Sequence, residues 1–177
     1  MQYIHPIVLC GFMGCGKSVI GRLTAEKLGF DFADTDDMLL ARTGMTLQQM
    51  FALGGEPYFR EREYETVCAA AQLQRTVIST GGGVMTFPRN VQAFGERAKI
   101  VYIHRDFDAC YAAITKRKNR PLAGQKSREE LRALYDARLS AYRACADFEI
   151  ENDASPEEAA QRIIDWYLLD KKPRVLK

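Results

Sequence analysis

Apolar positions along this chain come in short unbroken runs that alternate with helical spacings. Ile7-Val8-Leu9-Cys10 is continuous and ends at Gly11, as expected of a strand buried on both faces of a parallel sheet. From Lys17 to Leu28 the apolar residues Ile20, Leu23 and Leu28 keep a roughly helical spacing, and Gly29 stops the segment. A second short strand is predicted over 30–33, leading into Asp34-Thr35-Asp36-Asp37, and further strands over 76–79, 99–103 and 148–150. Thr46-x-x-Gln49 and Ser127-x-x-Glu130 have the form of capping boxes, and Ser155-Pro156-Glu157-Glu158 places proline at a first helical position. Strands alternating with helices call for an α/β protein: three layers, with a five-stranded parallel sheet and helices on both faces. No repeat, low-complexity tract or linker interrupts the pattern, and 177 residues is the size of one domain.

Composition narrows the function classes. The chain is 47% hydrophobic and 27% charged, ordinary for a soluble globular protein. Its first residues lack the basic region of a signal peptide, and the apolar stretch that follows is too short to cross a membrane. The five cysteines (Cys10, Cys15, Cys68, Cys110, Cys145) are odd in number and scattered, which reads as reduced thiols and a cytoplasmic protein. A net charge of +2 is too small for nucleic acid to be the main partner. Between Lys116 and Arg143, however, nine basic residues face three acidic ones. Each could sit on a solvated helix face; a cluster beside a phosphate site suits small anions.

Gly11-Phe12-Met13-Gly14-Cys15-Gly16-Lys17-Ser18 matches G-x-x-x-x-G-K-[ST] between the first strand and the first helix. Glycines let the backbone curl so that successive N–H groups face a polyphosphate, and the helix adds its positive end. Lys17 can reach the β- and γ-phosphates, and the Ser18 hydroxyl can ligate Mg²⁺. Gly14, Cys15, Gly16, Lys17, Ser18 and Val19 are the candidate nucleotide contacts. A helix N-terminus also lowers a thiol pKa, so Cys15 is expected to be open to alkylation and protected by ATP.

The loop alone does not separate a kinase from an ATPase, a switch or a motor. The strand 76–79 runs into Thr80-Gly81-Gly82-Gly83 with no acid at its end, so the metal-side carboxylate is expected from Asp34. Ligands collect at the carboxyl ends of strands in doubly wound sheets; residues 11–18, 34–36 and 81–83 should therefore meet at one edge. Asp34 and Asp36 would divide the work, one holding metal-bound water and the other accepting the proton of an attacking hydroxyl. Asp36 or Asp37 could instead cap the next helix, and Asp37 is assigned nothing more.

Together these residues resemble shikimate kinase, of the P-loop, nucleoside-monophosphate-kinase-like type. The resemblance rests on the loop, Asp34-x-Asp36, Gly55-Glu56-x-x-Phe59-Arg60-x-x-Glu63, Thr80-Gly81-Gly82-Gly83, Arg120-Pro121-Leu122 and Arg138-x-x-x-Tyr142, in that order over about 7–145. It implies transfer of the ATP γ-phosphate to the 3-hydroxyl of shikimate. It also implies roles: Lys17 and Ser18 on phosphate and Mg²⁺, Asp34 on the metal through water, and Asp36 holding the reacting hydroxyl as base. Arg60 and Arg138 would grip the substrate carboxylate, Gly82 and Gly83 would supply backbone contacts, and Phe59 would form a wall. Glu63 would orient Arg60, and Arg120 would close over ATP from a lid. Paired guanidinium groups suit a planar carboxylate better than lysines do; a surface ion pair with Glu56 or Glu63 is the plainer reading of Arg60. Cys15, Ala123 and Ser140-Ala141 depart from the family pattern.

The expected organisation is a single kinase domain over 1–177, with a core at about 7–168, a lid at about 116–127, a substrate-binding helical region at about 34–62 and a tail at 169–177. The expected ligands are shikimate and MgATP, with no nucleic acid or membrane partner, in a monomer. No metal site beyond Mg²⁺ is expected, since His5 and His104 are isolated in sequence and read as structural or exposed. A kinase for another polyol acid such as gluconate, and a non-catalytic nucleotide-binding module, are the alternatives.

Overall fold

The computed structural model describes residues 4–116 and 126–170. Strands β1 (Ile7–Cys10), β2 (Asp31–Asp34), β3 (Thr76–Ser79), β4 (Lys99–His104) and β5 (Phe148–Glu151) form one sheet in the order β2-β3-β1-β4-β5. Every neighbouring pair is parallel. Because β1 is central, the chain leaves it first toward β2 and later crosses to β4 on the other side. That reversal opens a crevice at the carboxyl end of β1. Every residue of β1 is fully buried, which is why its sequence shows a continuous apolar run rather than alternation.

Helices α1 (Lys17–Leu28), α2 (Thr35–Thr43), α3 (Leu47–Ala70), α4 (Pro88–Phe94), α5 (Phe107–Thr115), α6 (Arg128–Cys145) and α7 (Pro156–Leu169) complete the described chain. Alternation along β1 assigns two of them to opposite faces. Leu9 lies against Gly21 of α1, whereas Cys10, the next residue, meets Cys145 of α6. α7 packs beside α1. The three-layer expectation therefore holds, and α6 enters the face opposite α1 with its own polar residues directed toward the crevice.

Local chemistry sets the boundaries. Thr46 and Ser127 both form complete capping boxes, and Ser155 caps α7 with Pro156 in its first turn. β2 lies one residue later than its pattern suggested, so Asp34 is its last residue and α2 begins at once. The helix cap is consequently Asp34, which accepts from Asp36 N–H at 3.0 Å; neither Asp36 nor Asp37 has that task. α3 carries a kink at Gly54 and Gly55, where Gly55 adopts φ 66° and ψ −163°. A side chain would be strained there, and Pro57, which has no N–H to give, follows directly. β4 and β5 each run one residue further than predicted. Of the lid expected at 116–127, residues 117–125, Arg120 among them, lie outside the described residues.

Candidate active site

The phosphate loop closes over the start of α1. Gly16 caps that helix in the left-handed region at φ 103°. Lys17 is only 8% exposed, and its ammonium donates to the carbonyls of Gly11 at 2.8 Å and Phe12 at 2.9 Å. Ser18 Oγ donates to Asp34 Oδ2 at 3.0 Å and lies 3.3 Å from Ser79 Oγ. Asp34 is thus held at both oxygens, one on Ser18 and one on the α2 cap. The Cys15 side chain is fully buried behind the loop, which contradicts the expectation of an accessible thiol. The loop turns that side chain inward against Gly11 and the Lys17 ammonium, so only its backbone can meet a nucleotide. Val19 is 44% exposed and faces the crevice.

Two clefts open along this edge of the sheet. The first, about 230 Å³, runs from Asp34 and Ser18 past Gly14 and Gly16 to Asn152 and Pro156. The second, about 830 Å³, lies between α2, α3 and α6 and includes Phe59, Arg60, Glu63 and Arg138. Met13, Asp36, Gly81 and Gly82 line both clefts. Asp36 therefore stands at their junction, brought close to bare backbone: a Cβ added at Gly81 would lie 2.6 Å from Asp36 Oδ1. The Gly81 N–H is anchored on Thr35 Oγ1 at 3.0 Å.

Both predicted arginines converge over the glycine run. A Cβ at Gly83 would sit 3.3 Å from Arg60 Nη1 and 3.4 Å from Arg138 Nη2. Arg60 is held by Glu56 at 3.0 Å and by both oxygens of Glu63 at 3.0 and 3.2 Å, with its guanidinium over the rings of Phe59 and Phe87. The ion pairs expected as the plainer reading of Arg60 are present, and Arg60 also lines the second cleft. Burial pushes the Glu63 carboxyl above its usual range against the opposing pull of Arg60. Tyr142, one turn from Arg138 on the same face of α6, donates its hydroxyl to the Gly82 carbonyl. Burial raises the pKa of that phenol.

The shikimate kinase family model matches residues 13–168. The chain belongs to the shikimate kinase family. A shikimate kinase from Caldicellulosiruptor bescii is 39% identical over 171 residues, covering 95% of this chain and 98% of that protein. One from Xanthomonas axonopodis pv. citri is 36% identical over 160 residues, 89% of each chain. The solved structure of Acinetobacter baumannii shikimate kinase in complex with shikimate superposes with a TM-score of 0.87 at 33% identity, over 95% of both chains. The family and kinase class expected from the motifs hold, as does the five-stranded parallel fold. The gluconate and non-catalytic alternatives find no support in a match of this extent.

Measured against the shikimate kinase motifs, the structure adds residues that they omit. Arg105 and Asn152 line the nucleotide-side cleft and bond the loop from the ends of β4 and β5. Met45, Met50 and Phe51 wall the second cleft beside Phe59. In sequence they carry no motif. His104 has a structural role: it bridges Glu151 at 2.6 Å and the Tyr135 hydroxyl at 2.9 Å.

Proposed function

We propose that the chain transfers the γ-phosphate of ATP to the 3-hydroxyl of shikimate, giving shikimate 3-phosphate and ADP. The observation that carries this reading is the pair of clefts meeting at Asp36, with Arg60 and Arg138 converging over Gly83 at the acceptor end. A polyphosphate suits the first cleft, where the backbone of Gly14, Cys15 and Gly16 curls around the Lys17 ammonium and Val19 continues the surface. The Ser18 hydroxyl and Asp34 carboxylate form an all-oxygen set of the kind Mg²⁺ prefers, with Asp34 acting through water. Mg²⁺ bound there would neutralise charge across the β- and γ-phosphates.

The acceptor carboxylate would lie between Arg60 and Arg138, with Gly82 and Gly83 offering backbone and Phe59 a wall. This orients the reacting hydroxyl toward the junction, where Asp36 accepts its proton. The hydroxyl oxygen bonds to the γ-phosphorus as the bond from that phosphorus to the β–γ bridging oxygen breaks, releasing ADP. Lys17 exchanges its carbonyl partners for phosphate oxygens in this step, and Arg120 is assigned to the transferring group by the family motif. The chain is assigned to the cytoplasm as a monomer, and five free cysteines suit a reducing compartment.

The test is coupled ADP release from MgATP with shikimate, gluconate, a nucleoside monophosphate or no acceptor. Release that depends on shikimate alone is expected. Release with a different acceptor would overturn the roles of Arg60 and Arg138.

A further inference from the structure

We propose that Asn152 is a positioning residue for the nucleotide: its side-chain amide turns the Cys15–Gly16 peptide so that the Gly16 N–H faces the phosphates. This rests on reading the loop as the cradle for the polyphosphate of ATP. Asn152 Nδ2 donates to the Cys15 carbonyl at 2.7 Å across 137 residues of sequence. A carbonyl can only accept, so the amide nitrogen must be the atom that faces it. In a trans peptide the N–H points opposite the C=O. Pulling the Cys15 oxygen outward toward Asn152 therefore directs the Gly16 N–H to the inner side of the loop.

Three further observations support this. The Asn152 backbone N–H donates to the His104 carbonyl at 2.8 Å, which anchors the residue to the β4–β5 edge. Its amide also lies directly on the loop: a Cβ at Gly16 would be 2.8 Å from Asn152 Nδ2. Arg105, leaving β4, holds the preceding carbonyl, that of Gly14, at 3.1 Å. Two consecutive carbonyls of the loop are thus tied to the far strands, whereas those of Gly11 and Phe12 are tied to Lys17. When Lys17 turns to the phosphates those latter bonds are given up. The brace from Asn152 and Arg105 lies on the other side and stays. It keeps the loop in its binding shape without reorganisation during binding.

The alternative role for Asn152 is a direct contact with the base, because Ala154 and Pro156 line the same cleft. A probe without a base separates the two roles. Asn152→Leu, close in size but without a donor, and Asn152→Ala, which cannot overpack, are compared with wild type. Calorimetry measures binding of MgADP, inorganic tripolyphosphate and shikimate, alongside thermal midpoints. Both variants are expected to weaken MgADP and tripolyphosphate by the same factor, about five- to tenfold for one partly buried hydrogen bond, with shikimate affinity unchanged. Unchanged MgADP binding overturns the proposal. So does a loss for MgADP with none for tripolyphosphate, which makes Asn152 a base contact. Equal losses for shikimate make it a general structural residue. If wild type binds neither MgADP nor tripolyphosphate, the reading of the loop itself fails.

Discussion

The two ends of the active site are built differently. At the phosphate end, eight consecutive residues fold over one strand and one helix, with Cys15 fully buried and Lys17 nearly so. The acceptor end draws on α2, α3, the glycine run and α6, and parts of its apolar wall stay open: Leu40 is 49% exposed and Phe51 38%. A closed, pre-bonded loop suits a ligand common to many enzymes. An open, assembled wall suits a particular small acid, whose binding covers apolar surface and orders the arginines. Reaction depends on the residues shared between the two ends, and substitutions should divide along that line.

The largest effect is expected at the junction. Asp36→Asn keeps the size of the side chain but removes the proposed base, and kcat should fall about 10²- to 10⁴-fold. Affinities for MgATP and shikimate should stay within a few-fold of wild type. A variant that loses binding at one end but keeps kcat would place Asp36 in that cleft and not at the junction. Next comes Arg138→Ala, which removes the proposed charge-assisted contact to the acceptor carboxylate, about 1.5–3 kcal/mol. Shikimate binding should weaken roughly tenfold or more while MgATP binding is nearly intact, and equal losses of both would dissolve the distinction between the ends. Tyr142→Phe should act more mildly in the same direction. It deprives the Gly82 carbonyl of its donor, and shikimate KM should rise about three- to tenfold with little change for MgATP.

The same contrast explains what could be read from the sequence. The loop, Asp34-x-Asp36, Arg60, the glycine run and Arg138 are recognisable because their chemistry lies in residue type and short spacing. Capping boxes at Thr46 and Ser127 were legible for that reason too. Arg105 was not, because its partner is a backbone carbonyl 91 residues away and no side-chain pattern marks a carbonyl. The resemblance puts the family's adenine contacts around Asn152 to Pro156 without assigning residues, and the bond of Asn152 to a carbonyl 137 residues away is equally unmarked. Met45, between α2 and α3, and Met50 and Phe51, early in α3, carry no motif; only the placement of α6 opposite them makes them a pocket wall. The buried Cys15 thiol was misjudged because direction within a tight loop depends on its φ values, which composition does not reveal.

The smallest effect tests how the acceptor end tolerates its own buried acid. Glu63 is only 7% exposed. Burial raises its pKa, the charge and hydrogen bond of Arg60 lower it, and the net direction is upward from 4.5. An acid whose folded pKa exceeds its unfolded value binds more protons when folded. Its contribution to stability is therefore fully present below the unfolded value and is lost as pH rises through the folded one. Glu63→Gln mimics the neutral form at every pH and keeps an oxygen for Arg60, while Glu56 still holds that guanidinium. Stability of wild type relative to Glu63→Gln should consequently improve as pH falls from 7 toward 4.5, by a Tm difference of about 1–3 °C. Paired thermal melts at several pH values measure it. If wild type instead loses ground to Glu63→Gln on acidification, the ion pair with Arg60 outweighs burial. The acceptor end would then be as tightly pre-bonded as the phosphate loop, and the contrast between the two ends would narrow to their exposed apolar wall.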